Sequence, residues 1–275
     1  MSENSTSRQK NPLSLATQKI YGADEVCSAI SNGKLFNYYQ SKVDTETRKV
    51  VGVETLVRWF HPQDGMVYPD QFIGVAEEHG LIDDLTQVVL ADAMAQAKAW
   101  QEAGLMLQVS VNLSINNFDS PNFAEMVAES SAKAGVSPQL VELEVAECGL
   151  SEDSHTLIET LTRLRQKQFR VSINDFDIEN SSLLQLKDLP FDGVKIKPQI
   201  VHGARNNENL RSKIESSVGL AQQLGMSIVA VGIEDTVDWN FAKKAGCNTS
   251  QGRFISYPMP GPNLPGWIRS WHSTE

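Results

Sequence analysis

The chain has 275 residues, long for one average domain yet the usual size of a single α/β barrel, so length alone does not require two domains. Hydrophobic residues make up 41% and charged residues 21%, an ordinary globular balance that excludes extensive disorder away from the ends. With 24 Lys and Arg against 34 Asp and Glu the net charge is −10; this argues against nucleic acid as a partner, and an anionic ligand would need a local cation, either bound metal or placed Arg and Lys.

Residues 1–15 are rich in Ser, Asn, Gln and Lys and read as a flexible tail, which leaves 16–275 as one domain. Residues 24–32 carry an apolar stripe through Val26 and Ile30 and are followed by Gly33, which predicts a short helix. Leu35 to Val43 and Val50 to Trp59 predict two strands about the polar turn at 44–48, a hairpin near the start. Helix and strand patterns then alternate: helix 81–103, strand 107–112, helix 121–134, strand 140–145, helix 153–168, strand 169–173. The order continues with a short helix at 181–187, strand 193–196, helix 207–224, strand 227–231, helix 237–245, a short strand at 248–250 and a Pro-rich, Trp-containing closing segment at 254–275. Repeated β-then-α with short connections implies a parallel sheet, and roughly eight strands in about 250 residues favour closure into a barrel. A doubly wound open sheet is the alternative, weakened because no Gly-x-Gly-x-x-Gly or Walker motif follows a strand.

Cys27, Cys148 and Cys247 are too few and scattered for a disulfide framework or a zinc site, and read as buried free thiols. No signal-peptide core and no run of about 18 apolar residues occurs, so a cytoplasmic protein without direct membrane insertion is expected. His61 and His79 suit turns or helix ends, and Ser114 and Ser182 have no base at a spacing that suggests nucleophilic chemistry.

In a parallel barrel the C-terminal strand ends converge on one mouth, so polar residues there are the informative ones. Glu54, Asn112, Glu144, Glu147, Asn174, Asp175, Lys195, Glu234 and Gln251 fall at or near successive strand ends. Leu143-Glu144-Val145 and Val53-Glu54-Thr55-Leu56 set carboxylates among aliphatic residues, and such charges need a partner. Two partners are open on spacing alone. Oxygen ligation by Glu54, Asn112, Glu144 and Asp175 suits a hard ion such as Mg²⁺, Mn²⁺ or Ca²⁺; alternatively these residues pair with Lys195, Arg58 and one another in a buried network.

These positions fall in the order of an EAL domain, the family of phosphodiesterases that cleave cyclic di-GMP, and the resemblance runs from about residue 24 to 270. Tyr38 to Asp44 resembles the Tyr-Gln-Pro-Lys-Val-Asp strand with Ser41 for Pro, and Glu54-Thr55-Leu56 resembles the Glu-Ala-Leu triplet. Pro69 to Ile73 is similar to the Pro-x-x-Phe-Ile segment beside the guanine pocket; Val111 to Ser114, Glu142 to Glu147, Lys195-Ile196 and Gln251-Gly252 complete the match. The resemblance implies a TIM-like (β/α)8 barrel with an antiparallel first strand, and two metal ions that activate water to open the ring to pGpG. By position it implies Glu54, Asn112, Glu144 and Asp175 as metal ligands, Glu54, Lys195 and Asp175 as an incomplete catalytic set, and Glu147 as a loop-steadying residue. Gln40, Leu56, Arg58, Phe72, Ile73, Asp175, Glu234 and Gln251 would contact the ligand, Arg58 through the paired donors of its planar fork.

Departures from the pattern cluster on the metal side. Asn174 stands where the family has the Asp that bridges both ions, and Val231 stands where it has a Glu. Asp175 to Asn180 replaces Asp-Phe-Gly-Thr-Gly-Tyr, so both glycines are gone, and Lys197 replaces an Asp. The expected function is therefore that of a degenerate EAL domain, a cyclic di-GMP receptor with little or no phosphodiesterase activity. A Mg- or Mn-dependent phosphodiesterase, active or weakly so and holding one ion rather than two, is one alternative; a nucleotide-independent protein-interaction module is another. A protein partner and a homodimer are implied by resemblance only.

Overall fold

The computed structural model describes residues 19–146, 155–176 and 189–273. The predicted tail, the helix at 181–187, Glu147, Cys148, Ser182 and residues 177–180 of the substituted loop lie outside the described residues.

The polar turn predicted at 44–48 closes a hairpin because Asp44 accepts from the Thr47 backbone N–H and hydroxyl, both at 2.7 Å. It joins β1 (Leu35–Asp44) to β2 (Val50–His61) in antiparallel register, with Gln40 opposite Glu54 and Tyr38 opposite Leu56. Parallel strands follow: β4 (Gln108–Leu113), β5 (Val141–Ala146), β6 (Arg170–Phe176), β7 (Gly193–Ile196), β8 (Ser227–Val231) and β9 (Thr249–Gln251). β9 pairs back onto β1, so the eight strands close into a mixed barrel with β1 antiparallel to both neighbours. This is the predicted TIM-like fold. Two short strands flank the ring: β3 (Gly65–Val67) extends β2, and β10 (Met259–Pro260) extends β1.

The helices are α1 (Ala23–Ser31), α2 (Ile73–Glu78), α3 (Ile82–Glu102), α4 (Phe123–Ala134), α5 (His155–Gln166), α6 (Pro198–Gly203), α7 (Glu208–Gln223), α8 (Thr236–Ala245) and α9 (Leu264–His272). Among the described residues no helix is long and apolar enough to cross a membrane. Sequence reading missed β3, α2, α6 and β10, elements too short for a hydrophobic period to register, and read the nine-residue α9 only as part of a Pro-rich closing segment. It also expected Cys27 to be buried; the thiol is exposed, whereas Cys247 is buried and its pKa is pushed up to about 12 by burial.

Both faces of the central strands are inaccessible to water. Val109, Val111, Val141, Leu143, Val145, Val171 and Ile173 form the aliphatic layer beneath the helices. The alternate set, Ser110, Glu142, Glu144, Ser172 and Lys195, is equally buried and fills the barrel interior. The interior of a parallel barrel is ordinarily packed with branched aliphatic residues. Here it is an ion-paired core.

Candidate functional site

The barrel floor is a chain of charges. Lys42 Nζ donates to Ser110 Oγ at 2.6 Å, Glu142 Oε2 at 2.9 Å and Glu144 Oε1 at 2.6 Å. Lys195 Nζ donates to the other Glu144 oxygen at 2.5 Å and stands 3.0 Å from Glu54 Oε2. Burial alone would raise the Glu54 pKa, yet Lys195 and Lys42, with hydrogen bonds from Asn112 and Gln251, bring it down to about 2. Glu142 is likewise held near 2 against burial, by Lys42 and Ser110. Burial opposes the charge of both lysines too, and the surrounding carboxylates outweigh it, so both pKa values are raised. Three carboxylates thus meet two ammonium groups, and amides from Asn112 and Gln251 complete the partners of Glu54.

Those amides form a belt across the mouth. Asn174 Nδ2 donates to Asn112 Oδ1 at 2.8 Å, and Asn112 Nδ2 donates to Glu54 Oε1 at 2.8 Å. Gln251 Nε2 donates to Glu54 Oε2 at 2.6 Å and to Gln40 Oε1 at 3.1 Å; Gln40 Nε2 then reaches the Ser256 carbonyl at 2.9 Å. The belt therefore ties β6, β4, β2, β9 and β1 to the segment after β9. Asn174 Oδ1 accepts from the Asp175 backbone N–H at 2.9 Å, and Asp175 has φ 56°, in the left-handed region that Asp and Asn enter more readily than other non-glycine residues. Its side chain is exposed.

Further along the same face of the hairpin the character changes. Arg58 is buried, donates through Nη1 to the Val57 carbonyl at 2.8 Å, and lies over the rings of Tyr68 at 5.0 Å and Tyr38 at 5.7 Å. Burial lowers its pKa, without removing the charge of a guanidinium at neutral pH. A cavity of about 500 Å³ opens here between Tyr38, Gln40, Arg58, Tyr68, Arg253 and Tyr257. A second, apolar cavity of about 250 Å³ lies between the barrel wall and the α2–α3 region, bordered by Leu56, Ile73, Ile82 and Val89.

The structure thus brings Glu54, Asn112, Glu144, Lys195, Gln40 and Gln251, which sequence reading expected together, into one connected network running from the barrel floor to the mouth. Asp175 adjoins the belt through its backbone only. Phe72 is a core side chain packed edge-on against Trp59, with ring centroids 5.8 Å apart, and borders neither cavity. Glu234 is exposed; its backbone N–H is held at 3.0 Å by buried Asp238. Of the carboxylates, Glu54 and Glu144 pair with Lys195 and Glu144 also with Lys42, while the Asp175 side chain stands outside the network. Arg58 is not in it, because it faces the outer cavity. The residue missed was Lys42. A lysine set inside the strand Tyr39 to Val43, where a buried charge needs an acid partner, was the signal that could have found it. Among the described residues no group of three or more His, Cys, Asp or Glu is arranged to hold an ion. His61 accepts the N–H of Gln63 and Asp64 and serves its turn, and Ser114 caps a short helical turn while donating to Glu77.

The barrel with its one antiparallel strand and its acid-amide mouth defines a class, and comparison with known proteins agrees. The chain belongs to the EAL family: the profile described as EAL domain matches residues 23–258. A cyclic di-GMP phosphodiesterase of Pseudomonas aeruginosa is 31% identical over 264 residues, covering 95% of this chain and 45% of that protein. The oxygen sensor protein DosP of Escherichia coli is 30% identical over 243 residues, covering 88% of this chain and 30% of its own length. The chain therefore spans less than half of these curated relatives. Among solved structures, the PaMucR phosphodiesterase in complex with c-di-GMP superposes with a TM-score of 0.82 at 31% identity, covering 88% of this chain and 98% of that one. The EAL domain of Xanthomonas citri FimX, solved with c-di-GMP, shares the fold with a TM-score of 0.80 at 21% identity, covering 86% and 92%.

Proposed function

We propose that this domain binds cyclic di-GMP as a receptor and hydrolyses it little or not at all. The observation that carries the reading is the 2.8 Å bond from Asn174 Nδ2 to Asn112 Oδ1, which turns an oxygen suited to a metal inward to a neighbouring amide. The residues present do not fit a pair of dications. A group that bridges two ions must offer anionic oxygen to both, whereas Asn174 has one neutral oxygen, already accepting from the Asp175 N–H. Half-buried Val231 carries no donor atom, and each Glu144 oxygen faces a lysine ammonium. Losing one well-placed electrostatic group costs about 10²- to 10³-fold in rate, so two such losses argue for binding over turnover.

The ligand side is better supplied. Arg58 sits between two tyrosine rings with one N–H committed to a carbonyl, and offers its fork to a phosphate or a guanine edge. The PaMucR structure, a c-di-GMP complex, supports the identity of the ligand. One feature favours the second reading, slow metal-assisted hydrolysis: Glu54, Asn112, Glu144 and Lys195 still converge in one cluster.

Calorimetry and nucleotide chromatography on one sample, with and without Mg²⁺ or Mn²⁺, separate the two. Binding heat that is lost in Arg58→Ala, with intact nucleotide after long incubation, is the expected result. Absence of heat at high ligand concentration overturns the receptor reading. Metal-dependent appearance of pGpG, abolished in Glu54→Ala, establishes the enzyme instead.

A further inference from the structure

The outer cavity contains a second guanidinium that Arg58 chemistry does not account for. Arg253 lines it from the wall formed by the segment after β9, is exposed, and makes no hydrogen bond or ion pair among the described residues. Tyr257, on the same wall, leaves 68% of its surface open to water. None of the residues lining the cavity is acidic, in a chain whose net charge is −10. A pocket with two guanidinium groups, three tyrosine rings and no carboxylate is built for a ligand with both phosphate and aromatic parts.

We infer that Arg253 and Tyr257 are specificity-determining residues, a second cation and a second aromatic plane that grip the phosphate and purine of the bound dinucleotide farthest from the barrel floor. The assignment rests on the receptor reading and adds the residues that would make a two-base, two-phosphate ligand bind better than a single nucleotide. Their wall is held in place before any ligand arrives. Residues 251–256 wrap around Ile233: its N–H donates to the Gln251 carbonyl at 3.0 Å, and its carbonyl accepts from the Phe254 N–H at 3.0 Å. Gly252 permits this approach, since a Cβ there would fall 2.2 Å from the Ile233 carbonyl oxygen. The far end is fixed to β1, where Ser256 Oγ accepts from the Ser41 N–H at 3.1 Å and Met259 and Pro260 pair with Tyr39 and Tyr38. Arg253 and Tyr257 thus project from a turn tied down on both sides, which cuts the ordering cost of binding. The volume of about 500 Å³ lies within the range of small-molecule sites.

The test is calorimetry of cyclic di-GMP with the wild type, Arg253→Ala, Arg253→Lys, Tyr257→Ala and Tyr257→Phe, each checked for an unchanged melting curve. Arg253→Ala should weaken binding about tenfold and reduce its sensitivity to added salt, with Arg253→Lys intermediate because it keeps the charge and loses the fork. Tyr257→Ala should weaken binding several-fold while Tyr257→Phe retains it, because stacking needs the ring and not the hydroxyl. Wild-type affinity and salt dependence in Arg253→Ala and Tyr257→Ala overturn the assignment and leave the receptor reading intact. Absence of binding by the wild type overturns both.

Discussion

The barrel floor and the outer cavity rise from the same hairpin, four residues apart, and treat charge in opposite ways. At Lys42 and Glu54 each charged group meets partners within hydrogen-bond distance, and water is excluded. At Tyr38 and Arg58 a guanidinium rests on tyrosine rings and faces an open cavity. A buried charge whose partners are all internal has no capacity left for a ligand, and its loss is felt as instability. A charge stacked on rings at a cavity wall is held in position and still available, and its loss is felt as lost affinity. Position relative to water separates the neutralised floor from the cationic cavity, although both rise from the same two strands.

The comparison can be broken most directly at Lys195. Lys195→Met removes the ammonium that Glu54 and Glu144 share, leaving buried Glu54 with amide donors alone and Glu144 with Lys42 alone, and should cost about 3–5 kcal/mol, measured by urea denaturation. Acid comes next. Glu54 has its pKa lowered from 4.5 to about 2, so its contribution is fully present above about pH 4.5 and is lost as pH falls towards 2, on the order of 3 kcal/mol for this group. Lys42 and Lys195 have raised pKa values, so theirs is fully present below 10.5 and disappears only as pH rises through the higher folded values. Urea midpoints at pH 3, 5, 7 and 9 should therefore fall at pH 3 and hold from 5 to 9.

A smaller effect sharpens the contrast at the belt. Asn174→Asp combined with Val231→Glu removes the donor to Asn112 and adds two acids, one on β6 and one on β8, which should destabilise by about 1–3 kcal/mol without divalent ions. Mn²⁺ should raise the melting temperature of this variant and leave the wild type unmoved; equal shifts would mean that the wild-type mouth already accepts an ion. Least of all for stability, Arg58→Ala should change the unfolding free energy by about 1 kcal/mol or less while weakening cyclic di-GMP binding by tenfold or more. A stability loss as large as that of Lys195→Met would erase the distinction between floor and cavity.

Much of this was legible in advance, for reasons that differ from residue to residue. The hairpin and the alternating elements were readable because long periodic segments carry their own signal. Phe72 was expected beside the ligand because its motif neighbours Pro69 and Ile73 border a cavity, whereas its own ring packs in the core against Trp59. Arg58 was offered as a carboxylate partner because sequence distance from Glu54 is short; four residues along a strand span about 13 Å, which carries it past the belt. The alternation Glu142-Leu143-Glu144-Val145 has the pattern of a strand with one wet face, yet both faces are dry.

The amino-acid sequence by itself determined the family, the barrel, and which residue types stand at the mouth, because strand periodicity and ordered motifs are local properties of the chain. Only the tertiary structure decided what those residues do with their charge. Lys42 and Glu142 are a hundred positions apart, and closure of the ring puts them 2.9 Å from each other in a place without water, where pairing is the least costly outcome for both. The same closure left Arg58 at the rim with Tyr38, Tyr68, Arg253 and Tyr257 around it, and that separation of neutralised floor from cationic rim exists only once the barrel has formed.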